Sequence, residues 1–445
     1  MENVLCTYQQ HLADREVDSF YCAKHTSKMI SVSPCHLPIS VFSAAGLIPL
    51  PITNDLPLPT GFGKLRPELQ KGKMKMKVNT ILVALFAACA AMAGTDDAWN
   101  WYENEALPLG GKAFTDTETF FERWPAAAKG KLPGGLVSMG RHTTGMYLRF
   151  TTDSDRIRIE WKVRDEHPYD PLIPEAGLIG LDVYGWDASA DGGKGAWRFQ
   201  GNKRYWPRDK KNPGTAEFGW TPGRPCIVYL PLRATMLSFR IGVAKGKTIK
   251  PHPYRVPDAK PIVHYGTSIV HGGCASRPGL AFTAVAARDL DLPYVNLGFS
   301  GAAKMEASVP EFLAAAEASL YVIDARWNMS PEMVATNCAP FLRKMKELKP
   351  DVPILLCEGC TVWDHDSCNS AFRKVYDALK AEDPVKWRNL YYFEEKTMLP
   401  KEDKEATHDF CHPNDYGMLH MGHAYARRIR EVLADGCRTE RRLVK

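Results

Sequence analysis

Between residues 97 and 250, apolar positions alternate with polar ones at a period of two: Met146, Leu148 and Phe150; Ile157, Ile159 and Trp161; Leu237, Phe239, Ile241 and Val243. Alternation of this kind puts every second side chain on one face, which is what a half-buried strand requires. Breaks rich in Gly and Pro, such as Asp191-Gly-Gly-Lys-Gly and Lys211-Asn-Pro-Gly, separate the runs. Residues 97–250 are therefore expected to form an antiparallel, jelly-roll-like β-sandwich. The basic, Pro-rich stretch from Lys247 to Pro257 reads as a linker.

From Pro261 the rhythm changes. Short continuous apolar runs at Pro261–Tyr265, Tyr294–Leu297, Leu320–Ile323, Ile354–Cys357 and Leu390–Phe393 alternate with helix-period stretches, among them Pro331–Leu348, Asn369–Lys380 and Tyr416–Leu433. Repeated strand–helix units over residues 258–435 predict an α/β fold, a parallel sheet covered by helices on both faces. Ligands of such sheets bind beyond the carboxyl ends of the strands, so the residues that follow each strand carry the candidate chemistry.

A third pattern lies ahead of both. A basic segment, Lys71-Gly-Lys-Met-Lys-Met-Lys, leads into an apolar run from Ile81 to Ala93 that ends in the small-residue exit Ala91-Met92-Ala93. Residues 74–93 are thus expected to be a secretory signal cleaved before Gly94. The run is shorter than the roughly 20 apolar residues a bilayer span needs. Phe86-Ala-Ala-Cys89 is the alternative reading, a lipoprotein cleavage site. The protein is expected in the periplasm or outside the cell, with lipid anchoring as the variant and no integral membrane span. Residues 1–73 carry Pro and Ser breakers and no sustained period, and are expected to be a disordered lead or an extension from a start assigned too early. Cys22, His25, Cys35 and His36 lie there without the spacing of a metal site.

Composition narrows the function classes. The 445 residues are 45% hydrophobic and 24% charged, enough apolar material for packed cores. Lys and Arg number 57 against 51 Asp and Glu, a net charge of +6 spread along the chain, which argues against nucleic acid as a partner. Twelve cysteines are too few for a disulfide scaffold. Oligomeric state is not legible here.

Four loops at strand ends carry the chemistry. After the first strand comes Gly266-Thr267-Ser268, where Gly permits a sharp turn and Ser268 is expected to open the next helix. A hydroxyl beside the N–H groups of a helix start suits a nucleophile that generates an oxyanion, although Ser268 taken alone also reads as a helix cap. No Gly stands at 270, so the Gly-x-Ser-x-Gly elbow is absent. Asn296-Leu-Gly-Phe-Ser-Gly301 offers backbone donors, and Asp324-Ala-Arg-Trp-Asn328 offers a carboxamide. In Asp409-Phe-Cys-His412 a carboxylate three residues before a His can accept Nδ1–H and leave Nε2 free to face a serine.

In this order the blocks resemble the SGNH (GDSL-type) hydrolase family over residues 258–435. Upstream, Gly180-Leu-Asp-Val-Tyr184 and Tyr229-Leu-Pro-Leu look like the Gly-x-Asp-Leu-Tyr sandwich domain that precedes such modules. The resemblance implies a three-layer, flavodoxin-like hydrolase with Ser268 as nucleophile, His412 as general base and Asp409 as its orienting carboxylate. It further implies an oxyanion hole from the N–H groups of Ser268 and Gly301 and the Asn328 side chain, with no metal or organic cofactor. Two departures stand out: Thr267 replaces the usual Asp, and Asp324-Ala-Arg-Trp-Asn328 differs from the usual Gly-x-Asn-Asp.

The implied reaction is hydrolysis of carboxylic esters, with O-acetyl groups on a polysaccharide or small carbohydrate as the expected substrate. A lipase or thioesterase, or a non-catalytic glycan-binding protein, are the alternatives. Trp186, Trp197, Tyr205, Trp206 and Trp220 read either as sugar platforms or as sandwich core. Arg277 is a weak substrate-binding candidate that reads equally as a salt-bridge partner. His271, three residues past Ser268, is the rival base, expected to point along a helix. Cys357-Glu-Gly-Cys360 has redox or zinc spacing without a second pair. Asp364-His365-Asp366 reads as a solvated turn, His420 and His423 as surface or packing residues, and Glu306 and Glu358 as possible pocket walls.

Overall fold

A computed structural model describes residues 97–106, 108–164, 170–205, 213–360, 366–399 and 404–443. The expected extension at 1–73 with its Cys and His residues, the expected signal at 74–93, and Trp206, Asp364 and His365 lie outside these residues.

The strands before residue 252 are β1 (Trp99–Glu103), β2 (Leu109–Gly110), β3 (Tyr147–Thr152), β4 (Arg156–Val163), β5 (Leu181–Asp187), β6 (Ala196–Lys203), β7 (Gly214–Gly219), β8 (Cys226–Tyr229), β9 (Met236–Ala244) and β10 (Ile249–Pro251). They form two antiparallel sheets, ordered β1-β9-β4-β7 and β10-β3-β8-β5-β6, with β2 also paired to β3. The alternating residues meet between the sheets: Leu148, Phe150, Ile157, Ile159, Trp161, Phe239, Ile241 and Val243 are all buried in one core. Leu237 departs from the expected pattern and is exposed. The pairing of β4 with β9 shifts between Lys162 and Val163, so that Val163 faces Met236 and Met236 takes the inward place. The expected linker is also partly structured, because Ile249–Pro251 pairs with β3 as an edge strand.

The second half runs β11 (Ile262–Gly266), α1 (Phe282–Leu290), β12 (Tyr294–Gly298), α2 (Val309–Ala315), β13 (Leu320–Asp324), α3 (Pro331–Leu348), β14 (Ile354–Cys357), α4 (Ser367–Glu382), β15 (Leu390–Phe393) and α5 (Asp415–Leu443). Its sheet is wholly parallel, in the order β12-β11-β13-β14-β15. Every residue of β11, β12 and β13 is buried, the mark of strands covered on both faces. Alternate side chains serve opposite layers. Val263, Tyr265, Leu297 and Ile323 pack with α2, α3 and α4, while Ile262, Leu320, Val322 and Leu355 pack with α1 and α5. Ser330 and Asp366 cap α3 and α4 by accepting the N–H groups of Met333 and Asn369.

From β11 the chain passes to β12 on one side and then crosses to β13 on the other. The carboxyl end of β11 is therefore the switch point of the sheet, where such folds bind ligands. Residues 97 onward fall in one compact unit. Phe114, Trp124, Leu132 and Leu136, from the stretch between β2 and β3, are buried in the helical layer of the second half, and Trp124 stacks on Phe299 with ring centroids 5.4 Å apart.

Candidate active site

Gly266 ends β11 in register with Gly298 of β12 and Asp324 of β13, which brings three of the four loops to one mouth of the sheet. A Cβ at Gly266 would lie 2.4 Å from the Asp324 carbonyl oxygen, so glycine is required for the strands to close there. The Phe299 N–H then donates to the Gly266 carbonyl over 2.8 Å and ties the second loop to the first.

Beyond Gly266 the chain forms successive turns instead of the expected helix. The Gly273 N–H closes one of them on the Ser268 carbonyl over 2.8 Å. Gly272 and Cys274 have φ of +84° and +70°, left-handed values that stop a helix, and the first regular helix of this half begins at Phe282. Ser268 is thereby not a cap. Its Oγ lies 2.8 Å from His412 Nε2, although the two residues are 144 positions apart in the chain. Both are buried, with 8% and 6% of their surfaces exposed, so the pair opens to solvent only narrowly.

The loop before α5 holds the imidazole from the other side. Asp409 Oδ2 is 2.9 Å from His412 Nδ1, while Oδ1 accepts the N–H groups of Cys411 and His412 at 3.1 and 2.7 Å. Burial alone would raise the Asp409 pKa, but the hydrogen bond and charge of His412 and the two backbone donors outweigh it and hold the carboxyl at about 2. An ionised carboxylate on Nδ1 selects the tautomer that leaves the Nε2 lone pair toward Ser268. Asp409, Cys411 and His412 also offer three potential metal-ligand atoms within 4.8 Å of one another, but the Asp409 and His412 groups are engaged with each other, and burial pushes the Cys411 thiol well up.

Gly301 adopts φ +68° in the turn after β12, and its N–H finds no acceptor among the described residues. Asn328 Nδ2 donates to the Phe299 carbonyl over 3.3 Å, which sets the carboxamide beside this turn and leaves its second N–H available. Thr267, in the place of the usual Asp, is fully buried, and its carbonyl accepts the His271 N–H.

Other candidates sit elsewhere. Arg277 Nη1 donates to Asp182 Oδ2 and to the Tyr184 hydroxyl, both at 2.7 Å, so its guanidinium is held by the sandwich. His271 is fully buried and faces Ser300 and His142, with Nδ1 accepting the Ser300 N–H at 3.3 Å and Nε2 3.3 Å from His142 Nδ1. Burial and the charges of Arg233 and Arg123 keep that imidazole neutral by driving its pKa well down. Tyr205 and Trp220 belong to the sandwich core, and Trp186 packs edge-on against Trp197. Glu306 accepts the Tyr265 hydroxyl, and Glu358 accepts the Tyr392 hydroxyl and the Glu395 N–H. Cys357 and Cys360 are buried in the core beneath α5, with thiols pushed up by burial. Asp366 is not part of a solvated turn: it is buried, caps α4 and pairs with Arg326. His423 pairs with Asp289 on the surface, and His420 packs on Tyr416.

Arg123 is a side chain that sequence reasoning missed. Arg123 is 1% exposed, and no carboxylate pairs with it among the described residues. It donates to the carbonyls of Asn296, Gly298 and Met139 at 3.2, 2.9 and 2.7 Å and lies over the Phe299 ring. It thus anchors the end of β12, from which the Gly301 turn departs. No local motif marks a lone Arg in the sandwich half for that task.

Residues 259–430 match the GDSL-like lipase/acylhydrolase family, and residues 99–249 match the GxDLY domain found at the N-terminus of SGNH-hydrolase-type esterases. The fold is similar to that of a protein from Bacteroides ovatus described as a GDSL-like lipase, at 28% identity and a TM-score of 0.62 over 76% of this chain and 98% of that one. It is also similar to a salicylyl-acyltransferase from a tetracycline biosynthetic pathway, at 19% identity and a TM-score of 0.59 over 75% and 98% of the two chains. A comparison with curated proteins gave no match.

Proposed function

This chain is an ester hydrolase of the GDSL/SGNH type, and we propose that it is an exported serine esterase that removes O-acetyl groups from carbohydrate. The observation that carries the reading is the chain of contacts from Ser268 Oγ through the His412 imidazole to Asp409 Oδ2, at 2.8 and 2.9 Å. Ser268 Oγ attacks the ester carbonyl as His412 Nε2 takes its proton. The tetrahedral oxyanion is met by the N–H groups of Ser268 and Gly301 and by Asn328 Nδ2. His412 returns the proton to the departing sugar hydroxyl, and an acyl-serine remains. Water, deprotonated by His412, then releases acetate and restores Ser268.

Two features support a small acyl group and a sugar leaving group. Ser268 and His412 are nearly enclosed, which favours acetyl over a long chain. Phe410, two residues before His412, is 49% exposed at φ +63°, a conformation costly for a bulky residue and often retained where function needs it. Its ring is suited to lie against a sugar. Export rests on the pattern at residues 74–93.

The test is labelling by a fluorophosphonate combined with acetate release from acetylated polysaccharides. Labelling that persists in Ser268→Ala overturns the nucleophile. Nitrophenyl esters whose turnover rises with chain length overturn the acetyl assignment in favour of a lipase.

A further inference from the structure

We propose that Arg233, which comes from the sandwich half, is a positioning residue for the oxyanion hole, acting through Ser300 on the Gly301 N–H; this rests on the serine-esterase reading above. Arg233 Nη2 donates to Ser300 Oγ over 2.7 Å, and Nη1 is paired with Asp170 Oδ2 over 2.6 Å. From the opposite side, His271 Nδ1 accepts the Ser300 N–H at 3.3 Å and lies 3.2 Å from Ser300 Oγ. Ser300 is therefore held at both its backbone and its hydroxyl.

The Gly301 N–H belongs to the peptide plane that begins at the Ser300 carbonyl carbon, and that plane is rigid. Holding the N–H and Oγ of Ser300 fixes the Cα–C bond from which the next amide departs, and the Ala302 N–H, which donates to the Phe299 carbonyl over 3.2 Å, closes the turn that limits rotation about it. Gly301 itself, at φ +68° with open space where a Cβ would lie, has no side chain to hold it. Its orientation is thus imposed from Ser300. Arg233 and Ser300 are 67 residues apart and come from different halves of the chain, so the sandwich is part of the catalytic apparatus as well as a neighbour of it. His271 is bound into the same frame, which explains why a histidine so near Ser268 in sequence serves the turn and leaves proton transfer to His412.

The experiment uses the full chain, with kcat on nitrophenyl acetate normalised to fluorophosphonate-titrated sites and affinity for an alkylboronic acid measured in parallel. Ser300→Ala and Arg233→Gln are each expected to lower kcat by about 10–100-fold, with KM within about twofold, since misplacing a donor by an ångström costs on that scale. Boronate affinity should fall in step. The double variant should be no worse than the poorer single one, and Ser300→Thr, which keeps the hydroxyl, should recover most of the loss. A purely structural role would reduce the number of titratable sites and leave kcat per site unchanged, and that result overturns the proposal. If Arg233→Gln does not fold, Ser300→Ala, which leaves the Arg233–Asp170 pair intact, decides alone. Full activity in Ser268→Ala would instead refute the esterase reading itself, whereas a dead Ser268→Ala beside a fully active Ser300→Ala overturns only the role of the brace.

Discussion

Arg277 Nη1 reaches Asp182 Oδ2 over 2.7 Å, an ion pair between the loop that follows Ser268 and the Asp of the Gly-x-Asp-x-Tyr motif. The same carboxylate accepts the Gly279 N–H at 2.8 Å and Asn202 Nδ2 at 2.7 Å. A Cβ at Gly279 would sit 2.4 Å from the Tyr184 ring, so the motif packs directly on this loop. The Asp and Tyr of the motif thus hold the two halves together. Arg277→Met should destabilise the protein by about 3 kcal/mol, because it strands a buried carboxylate that keeps its two amide donors. Urea unfolding measures this; an unchanged midpoint would contradict the clamp.

Asn328→Ala should lower kcat by about 10²–10³-fold, the usual loss for one oxyanion donor. The protein should still fold, because among the described residues the side chain makes one long hydrogen bond, to the Phe299 carbonyl. Steady-state kinetics with a thermal melt check both parts. Unimpaired turnover would remove Asn328 from the site.

Asp409→Asn should reduce kcat by about 10⁴-fold by favouring the wrong imidazole tautomer. The carboxyl itself should titrate near 2, below its ordinary 3.8. A depressed folded-state pKa adds stability that is fully present above the unfolded value and is lost as pH falls from about 4 through about 2. In His412→Ala the largest opposing hydrogen bond is gone, burial prevails and the midpoint should rise. Carbon NMR of the labelled carboxyl reads this directly, and an unmoved midpoint would break the assigned Asp409–His412 link.

Phe410→Ala should raise KM for an acetylated oligosaccharide by roughly 2–10-fold, the scale of one aromatic contact, with kcat little changed. Phe410→Gly should show the same KM effect but a higher melting temperature than Phe410→Ala, since glycine relieves about 1 kcal/mol of left-handed strain. Equal KM for both variants and the parent would remove the ring from substrate binding.

Much of the fold was legible because burial imposes period. The parallel strands announce themselves as continuous apolar runs: those of β11 to β13 are buried throughout, and both layers of helices need apolar faces. The sandwich strands were legible by alternation until a shift of register, which no local pattern encodes, turned Leu237 outward. The Asp409–His412 pairing was legible because three residues suffice to bring the groups into contact.

The chain's own order of residues thus determined most of its element types, its strand-end loops and the chemistry those loops can offer, since each follows from propensity and spacing within a few dozen residues. Only tertiary structure decided which groups meet. It turned His271 toward Ser300, bound Arg277 to Asp182, buried Arg123 against the end of β12 and brought Arg233 to the Gly301 turn. These contacts join segments whose separation in sequence carries no periodic signal, and they exist because a buried guanidinium or imidazole must find a partner wherever packing supplies one.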